Sequence, residues 1–146
     1  MKRTRAFVFL AAIGLIAAAP PDADDAAGIK GDWTIASLTL GGKTAPSDMF
    51  KDFVSTFDGQ SYTNKVAGQV VESGDYKVDA SKSPKTIDFD IKKGPEAGKK
   101  QLGLYQLVGD TMTLCVSDSG LDKRPATFEP GDEATVTVIV LKRVKR

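Results

Sequence analysis

The sequence predicts an all-β domain of about eight antiparallel strands, and three observations carry that expectation. From Lys30 onward the apolar period is mostly two rather than 3.6. Turn pairs punctuate the apolar runs at Gly41-Gly42, Asp58-Gly59 and Gly109-Asp110. Helix-period patterning is almost missing. Short strands at this spacing make either an antiparallel sandwich or an up-and-down β-barrel, and alternation alone does not separate the two.

Taken in order, residues 1–19 read as a signal peptide. Lys2, Arg3 and Arg5 precede an apolar run over 6–19 that ends in Ala17-Ala18-Ala19. The run is shorter than the roughly 17–25 residues of a spanning helix, so no stable membrane anchor is expected after cleavage. No Cys follows it to accept a lipid. Residues 20–29, rich in Pro, Asp and Ala, read as a disordered leader, which leaves 30–146 for the barrel domain. A chain of that length supports one core without disulfides or a structural metal.

Within the domain, residues 33–40 form a first strand that stops at Gly41-Gly42. Residues 45–52 hold the only candidate for a helical turn, opened by Pro46 and Ser47. Residues 53–57 and 60–66 flank Asp58-Gly59 as a hairpin. Residues 69–72 and 75–78 read as one interrupted strand, with Gly74 as a bulge. Residues 86–91 give the cleanest alternation, with Ile87, Phe89 and Ile91 on one face and Thr86, Asp88 and Asp90 on the other. Residues 101–108 and 111–117 flank Gly109-Asp110. A long irregular connection, 118–131, contains Arg124-Pro125 and precedes a last strand over 134–143.

Composition narrows the function classes. The 146-residue chain has 20 Lys and Arg, 19 Asp and Glu, one Cys and no His. Three of the basic residues leave with the signal, so the mature charge is slightly negative and nucleic acid is not an expected partner. Lacking His, the chain can build neither a Ser-His-Asp nor a Cys-His centre, and a metal site is improbable. Neither a catalytic residue nor a cofactor is assigned, and the domain reads as non-enzymatic. Cys115 reads as a small buried hydrophobe rather than a reactive thiol. Asp88 and Asp90 could form a carboxylate pair, against the plainer reading of a solvated outer face. Ser81, Lys82, Ser83 and Lys85 lack the spacing of a Ser-Lys hydrolase. The lysines at 92, 93, 99, 100, 142 and 145, with Arg143 and Arg146, suit either anionic partners or protection against edge pairing.

The two ends of the fold decide between sandwich and barrel. Gly31-Asp32-Trp33 opens the first strand and Leu141-Lys142-Arg143 closes the last. This resembles the lipocalin-like (calycin) arrangement, which implies that the Arg143 guanidinium covers the Trp33 ring, with Gly31 beside them, and closes one end of an up-and-down β-barrel. Tyr76-Lys77-Val78-Asp79, residues 84–88, Gly103-Leu104-Tyr105-Gln106-Leu107, residues 109–115 and Arg124-Pro125-Ala126-Thr127-Phe128 follow in order. Together they resemble a family of small exported lipocalin-like domains found largely in planctomycete-type bacteria. Residues 43–67 carry no motif that matches it. The resemblance implies a fold and a lineage but no activity.

The expectation is therefore an exported, periplasmic or secreted, lipocalin-like barrel. Its role would be to bind a small, partly apolar ligand, with Tyr62, Tyr76, Tyr105 and Arg124 as candidate ligand-binding residues. Arg124 could instead pin its loop over the barrel mouth, with Phe128 as a plug. The remaining aromatics, Phe50, Phe53, Phe57 and Phe89, either line a cavity or fill it. The alternative is an interaction module, an inhibitor or sensor, that meets an envelope protein through its loops.

Overall fold

The computed structural model describes residues 21–145, and the signal-peptide reading of residues 1–19 lies outside them. A helix α1 (Pro21–Ile29) precedes nine strands: β1 (Gly31–Leu40), β2 (Lys43–Thr44), β3 (Phe53–Phe57), β4 (Ser61–Val66), β5 (Gln69–Asp79), β6 (Thr86–Lys93), β7 (Lys100–Val108), β8 (Thr111–Ser117) and β9 (Val136–Arg143). Strands β3 to β9 each pair with the next, β1 pairs with β3, and β9 returns to pair with β1. All pairings are antiparallel, so eight strands close a barrel and the two-residue β2 lies as a flap on the end of β1. Closure leaves none of the eight with a free edge.

Alternation sends one face of each strand inward. In β6, Ile87 and Phe89 join the core while Asp88 and Asp90 face outward, which settles which face carries the two carboxylates. Trp33, Phe57, Tyr62, Tyr76, Tyr105, Met112, Leu114, Val116 and Leu141 complete most of that core. Its aromatics lock edge to face: Phe57 on Tyr76 and Tyr62 on Phe89, each with ring centroids 5.0 Å apart.

Two local expectations change and one stands. Residues 20–29 were expected as a disordered leader, yet α1 occupies Pro21–Ile29. Pro21 sits at the first helical position, where a missing N–H costs nothing, and Ala is the best helix former. The order comes from tertiary contacts rather than an apolar stripe, because Ile29 is fully buried and Asp25 binds Lys85 and Tyr105. The helical turn expected within 45–52 is present, as a single 3-10 turn over Ser47–Met49 with Pro46 before it. The interrupted strand is continuous as β5, with a register shift against β6 between Ser73 and Gly74. A Cβ at Gly74 would lie 2.1 Å from the Asp90 carbonyl oxygen, so the glycine allows the two backbones to approach.

The 118–135 connection is a strap on the outer wall, not a lid. Phe128 packs on Leu104, Cys115, Val136 and Val138, a second apolar cluster outside the lumen. This corrects the expected plug: those side chains alternate outward and would face water without the strap. Cys115 beneath it is fully buried, and its thiol donates to the Thr127 carbonyl at 3.4 Å.

Candidate functional site

The two ends of the barrel are built differently. One is shut. Trp33 and Arg143 are directly opposed in the β1–β9 ladder, so their side chains meet, and the guanidinium lies 4.3 Å from the Trp33 ring centroid. Arg143 also donates to the Lys30 carbonyl at 2.7 Å and to the Gly28 carbonyl, tying α1 to the end of β9. The indole N–H of Trp33 donates to the Ile29 carbonyl at 2.8 Å. Gly31, with φ of +129°, makes the turn between helix and strand, and a Cβ there would stand 3.0 Å from the guanidinium. The positive φ favours glycine, and a side chain there would crowd the clasp.

Asp25 completes the seal. It accepts from Lys85 Nζ at 2.8 Å and from the Tyr105 hydroxyl at 2.6 Å. Burial pushes its carboxyl up, but the Lys85 and Tyr105 hydrogen bonds and the Lys85 charge outweigh burial and hold it below the usual carboxylate range. At the neighbouring β3–β4 turn, Asp58 accepts from the backbone N–H of Gln60 and Ser61, while Gly59 N–H donates to the Tyr76 hydroxyl at 2.9 Å.

The other end opens onto an internal cavity of about 70 Å³. Its floor and walls are apolar: Ile35, Phe53, Phe57, Tyr62, Phe89, Leu114, Val116, Ile139 and Leu141. Four polar side chains share the lining: Ser55, Asn64, Glu72 and Gln101. The Ser55 hydroxyl donates to Asn64 Oδ1 at 2.6 Å, the Tyr62 hydroxyl to Glu72 Oε1 at 2.9 Å, and Gln101 Nε2 to the Ser117 carbonyl at 2.9 Å. Burial first, and the Glu72 carboxylate second, push the Tyr62 phenol far above its usual range, so it remains a neutral donor.

Of the four candidate ligand-binding residues, only Tyr62 lines this cavity. Tyr76 and Tyr105 are buried at the shut end, with their hydroxyls engaged by Gly59 and Asp25. Arg124 lies on the outer wall, donating to the Gly103 carbonyl at 2.7 Å and pairing with Asp88 at 2.6 Å. It pins the strap rather than reaching a ligand at the mouth. Asp88 and Asp90 are each taken by a cation, Arg124 and Lys92. Among the described residues no cluster of three His, Cys, Asp or Glu could hold a metal.

The polar collar is what sequence reasoning missed, although the signal was there. Glu72 is four residues before Tyr76, Asn64 two after Tyr62, Ser55 two before Phe57 and Gln101 four before Tyr105. Each therefore shares the inward face of an aromatic that defines its strand. A comparison of the chain with family models, curated proteins and solved structures finds no match.

Proposed function

We propose that the domain is a non-catalytic binder of one small, partly apolar molecule, taken into the open end of the barrel of an exported protein. The observation that supports this reading is the cavity itself: mostly apolar in its lining but with four polar side chains, open at one end and sealed at the other. Binding sites commonly combine a mostly apolar lining with a few placed polar groups. At about 70 Å³ the cavity is far below the roughly 300–1,000 Å³ of drug-sized sites. It therefore takes a short apolar group, with the rest of the ligand outside.

Native mass spectrometry of the protein purified from its own host tests this. A co-purifying small molecule, lost on denaturation and on filling the cavity with Leu114→Trp, is the expected result. A clean ligand-free mass, with no small molecule in an organic extract, counts against it. The exposed side chains Met49, Val66 and Val70 at the same end favour a second reading, a loop-borne contact with an envelope protein. In that case the co-purifying mass is a polypeptide and Leu114→Trp leaves it bound.

A further inference from the structure

We infer that the ligand of this cavity is an amphipathic cation, a short alkyl group carrying an ammonium or guanidinium, with Glu72 as its counter-ion; the inference rests on the binding reading above. The cavity lining contains one formally charged side chain, Glu72, and neither Lys nor Arg. Glu72 faces inward from β5, half-buried above the aromatic floor. Its Oε1 accepts from the neutral Tyr62 hydroxyl. None of the ion pairs among the described residues includes it. This carboxylate therefore has one neutral hydrogen-bond donor and none of the described ion pairs, although such groups are normally paired when withdrawn from water.

Just outside, a cleft of about 400 Å³ shares Glu72 and Gln101 with the cavity and adds Glu96, Asp118 and Lys99. Lys99 is held by Glu96. The mouth thus presents three carboxylates and one ammonium; Glu96 and Lys99 pair with each other, which leaves Glu72 and Asp118 as its excess negative charge. An anionic head would meet this field unfavourably and a neutral one would gain little from it. A cationic head sits between Glu72 and the cleft while its tail lies over Phe57, Phe89 and Leu114. Tyr62, bonded to Glu72, is a positioning residue that fixes the carboxylate.

The test is a backbone amide NMR titration of the mature protein with three probes of matched size at neutral pH: n-butylammonium, n-butanol and n-butyrate. The expected result is shifts at Ser55, Asn64, Glu72 and Gln101, with n-butylammonium about tenfold tighter than either other probe, as a charge-assisted hydrogen bond implies. Glu72→Gln, similar in size and uncharged, should reduce n-butylammonium to the affinity of n-butanol. Equal affinities for the cation and the alcohol in the wild type overturn the cation inference and leave the binding reading standing. Shifts at the collar with none of the three probes remove the binding reading and the inference with it. The wild-type comparison decides the matter even if the variant does not fold.

Discussion

Arg143→Ala removes the clasp at the shut end, and the structure sets the size of the effect. The guanidinium, 4.3 Å from the Trp33 centroid and three-quarters buried, contributes about 1 kcal/mol as a cation–π contact. Its bonds to the Lys30 and Gly28 carbonyls are charge-assisted but partly solvated, about 1–1.5 kcal/mol each. The Asp110 pair at 3.2 Å is half exposed on the acidic side and adds little. The expected loss is about 3–4 kcal/mol. At about 4 °C per kcal/mol for a domain of this length, the melting temperature falls by about 12–16 °C. Arg143→Lys keeps the charge without the fork and should recover less than half of that loss. Trp33 is the only tryptophan in the chain, so its fluorescence follows both the unfolding transition and the local environment. If Arg143→Ala shifts the denaturation midpoint by less than the equivalent of about 1 kcal/mol and leaves the Trp33 emission in place, the clasp argument is wrong.

Two further outcomes follow from the seal and the strap. The Asp25 carboxyl is depressed below 3.8 in the folded state, so its contribution is complete above that pH and is lost as pH falls through the lowered value. Denaturant midpoints should therefore fall more steeply with acid in the wild type than in Asp25→Asn, which should cost about 1 kcal/mol at neutral pH; parallel pH profiles would remove Asp25 from the seal. Phe128→Ala should cost about 1–2 kcal/mol, since the ring is only half-buried. By loosening the strap it should speed thiol labelling of Cys115 about tenfold or more, whereas an unchanged labelling rate would mean that the strap does not shield that face.

How much of this was legible in the sequence depends on whether a feature is local. The alternation of Ile87, Asp88, Phe89, Asp90 and Ile91, and the turn at Asp58-Gly59, are properties of a few neighbouring residues, and both stand in the structure where the sequence puts them. The helix at Pro21–Ile29 was not legible. Its partners Lys85, Tyr105 and Arg143 lie 60 to 115 residues away, while its own composition resembles that of a linker. Tyr76 and Tyr105 face the lumen, but whether a buried hydroxyl is free for a ligand depends on what the other strands bring to it, and here Gly59 and Asp25 had already taken them. Arg124 illustrates the same difficulty: a loop arginine has many destinations, and its choice of the outer wall follows from the apolar cluster under Phe128. Glu72 is hard to place from sequence because Gly74 reads as an interruption of the strand, whereas β5 runs unbroken through it and the alternation carries from Tyr76 back to Glu72.

The pairing of Trp33 with Arg143 has a consequence for how the molecule comes into being. The seam joins segments more than a hundred residues apart, and the helix below it waits on Lys85 just before β6, Tyr105 of β7 and Arg143 of β9. A growing chain can zip its hairpins from β3 to β8 one after another, since each pairs with its sequence neighbour. The cylinder, however, forms only when the last strand arrives. Until then β1 exposes an unpaired edge, and the formed sheet has to curl and pair its two outer strands in one late, non-local step. Substitutions at the seam should accordingly be felt mainly as faster unfolding, and those in the central hairpins as slower folding.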